Sequence, residues 1–150
     1  MSTGDAAMKK PWVIQRYEGI EDISESCRQL FERSGRENVF LSLEWFRNFI
    51  ATVVQKEDCI RIYAAGRKSD SNHVMGAIVL WRQPRKTGVL SPYILQGLSN
   101  YYTAYFGPVW QGKEEDIDEF AAALVGALLE DRREWEVLDL RPLDSESPIF

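Results

Sequence analysis

The sequence predicts a mixed α/β domain built on a largely antiparallel sheet. Three observations carry this. One short alternating stretch is followed by two stretches of helical period, a run of extended segments fills the middle, and a long apolar-striped helix precedes a last short strand. The predicted order is β-α-α-β-β-β-α-β. Residues 1–150 read as one domain, with no internal repeat, low-complexity tract or dividing linker.

After a polar start over 1–10 that reads as disordered, Pro11 to Tyr17 alternates Trp12, Ile14 and Arg16 against Val13, Gln15 and Tyr17, a first strand. Ile20, Ile23, Cys27, Leu30 and Phe31 recur at helical spacing, and Ser34-Gly35 reads as the stop. Ser42 is a good N-cap for a second helix, with Glu44 in the first turn where a carboxylate suits the helix dipole. Its expected buried face is Phe46, Phe49, Ile50, Val53 and Val54, with Trp45 just off the stripe. Cys59 to Gly66 is a strand, Arg67 to Asn72 a polar hairpin connection, and His73 to Arg82 a strand without alternation, hence central and covered on both faces. Val89 to Leu98 is extended with Pro92 marking an edge or bulge, and Tyr105 to Trp110 is a shorter extended piece. From Glu114 to Arg132, Ile117, Phe120, Ala121, Leu124, Val125, Leu128 and Leu129 form one stripe. A strand at Val137, Leu138 and Leu140 follows. Ser147-Pro148-Ile149-Phe150 then has the chemistry of a helix start, so the fold is expected to be incomplete at its C-terminus.

A chain of 150 residues buries roughly 70% of its extended surface and needs no metal or disulfide staple. With 18 basic and 23 acidic residues and a net charge of −5, it is not a general nucleic-acid binder. No apolar run is long enough for a membrane span, no secretory h-region is present at the start, and Cys27 and Cys59 make no disulfide framework. The expectation is a reduced, cytoplasmic chain. Charge is uneven: from Lys113 onward twelve acids face four bases, a net of −8. That reads as a solvated acidic helix, or as an acidic face that docks onto something basic.

The segment Asn38-Val39-Phe40-Leu41-Ser42-Leu43-Glu44-Trp45-Phe46 resembles the F-x-S-x-x-W stretch of CelD-like and Fem-like (BioF2-like) proteins of the GNAT acetyltransferase superfamily. Leu98-Ser99-Asn100-Tyr101-Tyr102-Thr103, the strand-plus-turn Leu138 to Pro142 and the element order fit the same pattern. The resemblance implies tandem GNAT-type domains that transfer acetyl or aminoacyl groups to a cell-envelope or metabolite acceptor. This chain would be the N-terminal, acceptor-side half, partnered by a second GNAT-like domain or another copy of the chain. Acetyl-CoA or another acyl donor is expected for the full-length protein. In such an arrangement the fourth strand splays from its neighbour and opens a cleft for the acceptor.

A GNAT domain that holds CoA is expected to show [Gln/Arg]-x-x-Gly-x-[Gly/Ala] before its third helix, where backbone N–H groups meet the pyrophosphate. Trp110-Gln111-Gly112-Lys113-Glu114-Glu115-Asp116 lacks that spacing and crowds carboxylates there, so no cofactor is expected on this segment. His73 is the single histidine, placed at a strand start, and Cys27, Cys59 and His73 include no short-spaced ligand pair, so neither a catalytic triad nor a metal site is assigned. Cys27 is expected in the core, and Glu114-Glu115-Asp116 on a solvated face. Arg67, Lys68, Arg82, Arg85 and Lys86 are candidates for a basic patch at strand ends, against ordinary surface. The most site-like stretch is Asn100, Tyr101, Tyr102 and Thr103, with Tyr105 nearby: stacking surface and directional hydrogen bonds together, as at pocket rims. Trp45 is a further candidate for the same cleft. The competing reading is a non-enzymatic α/β module that binds a ligand or partner, as PAS-like or profilin-like sensor domains do.

Overall fold

The computed structural model describes residues 11–54, 56, 59–83, 90–100, 103 and 106–141. Residues 1–10, Tyr101, Tyr102, Tyr105, Arg85, Lys86 and the helix-start chemistry at 147–150 lie outside them. The described chain forms β1 (Trp12–Tyr17), α1 (Glu25–Glu37), α2 (Leu43–Phe49), β2 (Ile60–Arg67), β3 (Asp70–Arg82), β4 (Ile94–Gly97), β5 (Val109–Trp110), α3 (Ile117–Glu130) and β6 (Val137–Asp139). It is a mixed α/β fold on a six-stranded, largely antiparallel sheet in the order β1-β2-β3-β4-β6, with β5 also on β3. Beyond the expected order, the two-residue β5 pairs Gly76 and Ala77, while β4 takes Leu80 to Arg82 of the same edge. The pairing of β4 with β6 is the parallel one.

Register explains the layers. Directly paired residues share a face, so Trp12, Ile14 and Arg16 align with Arg67, Ala65 and Tyr63, and these with Gly76 and Ile78. α3 and the turn after it cover this face. Phe120 stacks on Trp110 at 4.7 Å and meets Trp12 edge-on at 6.2 Å. The alternate residues Ile60, Ile62, Ala64, Ala77 and Val79 are buried on the other face, which carries α1 and α2. β3 is thus covered on both sides, as its unbroken apolar run predicts. Phe31 of α1 meets Phe46 of α2 edge-on at 5.6 Å, and each buried ring contributes about 1.5–3 kcal/mol.

α1 opens at Glu25 under the Ser24 cap, so Ile20 and Ile23 precede it. Of the expected Val89 to Leu98 stretch, β4 covers only Ile94–Gly97. Four further differences each have a local reason. α1 does not stop at Ser34-Gly35 but runs to Glu37. Ser34 returns its hydroxyl to Leu30 O at 2.9 Å, and a Cβ on Gly35 would lie 2.6 Å from Ser42 Cβ. The glycine serves close approach to the next helix's cap. Ser42 does cap α2, accepting from Trp45 N at 3.1 Å, but the helix continues as a π-helical turn, Ile50–Val54, that leaves Val53 exposed beside buried Ile50 and Val54. β3 begins at Asp70 rather than His73, because the hairpin closes on Arg67 and Asp70 with a register shift at Gly66. On α3, Ile117, Phe120, Leu124 and Leu128 are buried but Val125 and Leu129 are exposed, since the helix rests on β1 and β2 with one row of side chains.

Candidate functional site

The turn that holds Asn100 and Thr103 follows the end of β4. Leu98 stays on the sheet through its N–H to Val79 O at 3.3 Å, and the Ser99 hydroxyl donates to Arg141 O, just past β6, at 2.8 Å. Over the described residues β4 and β6 therefore stay together, and the expected splay is not present there. Beyond Ser99 the chain closes on itself. The Asn100 N–H donates to Thr103 Oγ1 at 3.0 Å, that hydroxyl donates to Asn100 Oδ1 at 3.2 Å, and the Thr103 N–H donates to Asn100 O at 3.0 Å. Thr103 is buried and its hydroxyl is committed to this turn, while Asn100 is half-buried. Tyr101 and Tyr102 lie outside the described residues. Trp45 is half-buried in an edge-on pair with Phe40 at 4.8 Å. The structure thus joins Asn100 to Thr103 and sets Trp45 in a separate aromatic contact.

The junction before α3 is densely occupied. The Trp110 indole fills the space over Gly112, where a Cβ would lie 2.2 Å from the ring. The Gln111 N–H donates to Met75 O at 2.8 Å, and its side-chain amide accepts from Arg33 Nε at 2.6 Å and donates to Ser34 Oγ at 3.2 Å. The acidic helix start is only partly a solvated face. Asp116 pairs with Arg67, Glu119 lies 3.5 Å from the same guanidinium and accepts from Trp12 Nε1 at 3.3 Å, and Arg67 stacks over the Trp12 ring at 4.6 Å. Arg67 and Arg82 of the expected basic patch are also set apart, while Arg85 and Lys86 lie outside the described residues. Arg67 is held by carboxylates, and Arg82 lies at the other end of β3, roughly 40 Å away at the rise of an extended strand.

A dense polar constellation among the described residues was not announced by any one stretch of sequence. Arg61, almost fully buried, donates through Nε to Glu134 Oε2 at 2.9 Å and through a terminal nitrogen to Ile60 O at 2.8 Å. Arg16 reaches Asp131 at 3.0 Å and Glu134 at 3.1 Å, and the Tyr63 hydroxyl donates to Asp131 Oδ2 at 2.8 Å. Burial, reinforced by the Asp131 carboxylate, pushes the Tyr63 phenol up. Burial alone would raise the Glu134 carboxyl, but hydrogen bonds and charge from Arg61 and Arg16 hold it below its ordinary value. These groups tie the turn after α3 to β1 and β2. The sequence signal was an arginine at Arg61 inside an otherwise apolar strand, but its partners lie far along the chain.

Cys27 is fully buried, and burial pushes its thiol up to about 12, which leaves it inert. His73 is exposed on β3. Among the described residues no group of His, Cys, Asp and Glu could hold a metal ion, and no helix is long and apolar enough to cross a membrane. No protein-family model and no curated protein sequence matches the chain.

Proposed function

We propose that this chain is the N-terminal, acceptor-side half of a GNAT-type N-acyltransferase of the CelD-like or Fem-like kind, moving an acetyl or aminoacyl group to a cell-envelope or metabolite acceptor. The observation that carries the reading is β4-α3-β6, a crossover that lays one parallel pair at the margin of an antiparallel sheet with two helices inserted between β1 and β2. A GNAT-like order has these elements without the short β5, which here pairs β3. When bound, an acyl thioester supplies the group that an amine acceptor attacks. The donor is assigned to a second GNAT-like domain or another copy of the chain, because Gln111 and Gly112 are filled by Trp110 and α1 and offer no cradle for a pyrophosphate. Asn100 is the described residue at the acceptor edge, and Tyr101 and Tyr102 belong to the same stretch. Two buried free cysteines suit a reducing, cytoplasmic setting.

The test is thiol release from acetyl-CoA or another acyl thioester by the whole polypeptide that carries this chain, over a panel of amine acceptors. Asn100→Ala is expected to raise KM for the acceptor about tenfold, with KM for the donor unchanged. Thiol release with no acceptor, or a change confined to the donor KM, overturns the assignment. One observation favours the non-enzymatic ligand-binding alternative: Ser99 and Arg141 bridge the two strands that a GNAT arrangement would part. Stoichiometric binding of a small molecule by the whole polypeptide without turnover would decide for it.

A further inference from the structure

At the end of the sheet where β2 begins, a cavity of about 220 Å³ is lined by Ile20, Glu21, Arg47, Ile50, Ala51 and Ile60. None of Asn100, Thr103 and Trp45 is among its lining residues. The geometry points to a binding site for a free α-amino acid with an aliphatic side chain of leucine or isoleucine size. This inference does not rest on the transferase reading.

Three features of the cavity converge on that ligand. Its volume is below the roughly 300–1,000 Å³ of pockets that enclose drug-sized molecules, so the occupant is small. Its floor is branched and apolar: Ile20, Ile50 and Ile60 are all buried around it. Its mouth holds one guanidinium and one carboxylate side by side. Arg47 Nε lies 2.8 Å from Glu21 Oε1, and a terminal nitrogen of Arg47 lies 3.5 Å from Glu21 Oε2.

A guanidinium fork matches a carboxylate, and a carboxylate accepts from an ammonium. An α-amino acid presents both groups on one carbon, with its side chain directed away from them. The ion pair that must open is an exposed one, at 40% and 66% side-chain exposure, so water already competes for it. A zwitterion exchanges one charge-assisted contact for two and leaves neither side chain unpaired. An aliphatic amine or a fatty acid alone satisfies only one of the two. The wall that carries Ile50 and Ala51 is the π-helical turn, a geometry that recurs at functional sites, and it sets Ala51, the smallest lining side chain, beside the opening.

Titrating the chain with L-leucine, followed by calorimetry and by the methyl resonances of Ile20, Ile50 and Ile60, tests the site. Saturable binding of one leucine per chain is expected, with those resonances moving together. Isocaproate, which lacks the ammonium, and isoamylamine, which lacks the carboxylate, should each bind about tenfold more weakly or worse. Glu21→Gln and Arg47→Met should each lose about tenfold in affinity, and Ala51→Phe should abolish binding by filling the cavity. Circular dichroism and a cooperative melt establish that each variant is folded, and if Ala51→Phe is not, the two charge variants decide. No saturable binding of leucine, or equal affinity for isocaproate and in Glu21→Gln, overturns the proposal.

Discussion

Replacing Gly35 by alanine sets two effects against each other. Alanine in a helix interior gains about 1 kcal/mol over glycine. The new Cβ, however, would stand 2.6 Å from Ser42 Cβ and 3.0 Å from its Cα. Ser42 cannot step aside, because its hydroxyl donates to Val39 O at 2.7 Å while accepting from Trp45 N. Overpacking of this kind costs about 1–3 kcal/mol. Gly35→Ala is therefore expected to destabilise by about 1 kcal/mol, read as a lower urea midpoint at unchanged slope. Tyr63→Phe removes one hydrogen bond to a carboxylate that Arg16 still neutralises, so a loss of about 1–2 kcal/mol is expected, or a few degrees in thermal midpoint. At this scale the sequence was readable where one residue decides its own fate: Cys27 on an apolar stripe, His73 at an exposed strand position. It was unreadable where a partner decides. Nothing in Asn100 and Thr103 foretold that the threonine hydroxyl would be used up inside its own turn, and Tyr101 and Tyr102 lie outside the described residues.

Two carboxylates held low by arginines make stability acid-sensitive. Glu134 bridges the turn after α3 to β1 and β2, whereas Asp139 pairs with exposed Arg141 in its own segment and contributes little. Asp139 of β6 accepts two charge-assisted bonds from Arg141, which lower its carboxyl to about 2. Glu134, in the turn after α3, is likewise held low by Arg61 and Arg16 against the opposing effect of burial. A carboxyl depressed in the folded chain stabilises it above the ordinary carboxylate range, and that contribution disappears as pH falls through the folded value. Stability is thus expected to be level above about pH 5 and to decline toward about pH 2, followed by circular dichroism in denaturant. Glu134→Gln should flatten part of that decline, and an unchanged profile would remove Glu134 from the account. Helix and strand types were legible for most elements, because apolar period and Ser42 chemistry are local, although Ile20 and Ile23, read at helical spacing, precede α1. Extents were not. α1 passed through Gly35 and β3 reached back to Asp70 because contacts with α2 and β2 override local preference. A seven-residue stripe on α3 also promised more burial than one row on β1 and β2 can take up.

For the whole molecule, the mixed α/β class and the central, doubly covered β3 followed from the chain's own pattern. Which strands become neighbours did not. That β4 and β5 share one edge of β3, and that β6 closes beside β4, depends on pairings no local window contains. The same holds for function: Glu21 and Arg47 converge on one cavity only because the turn after β1 meets α2 at the head of β2. The uneven reach of those pairings has a consequence in time. β2 and β3 meet across the two residues Lys68 and Ser69, whereas β4 and β6 are joined only after the whole span from Ile94 to Val137 has been gathered in. Loop-closure entropy must be met before a distant pair returns anything, so distant pairs form late. Assembly is accordingly expected to begin at the β2–β3 hairpin and to finish at the two margins, because β1 and β2 partners such as Trp12 and Arg67 are at least as distant in sequence as Ile94 and Val137. The margin that the Ser99 hydroxyl stitches to Arg141 is then one of two late seams, expected to close after the central hairpin during refolding.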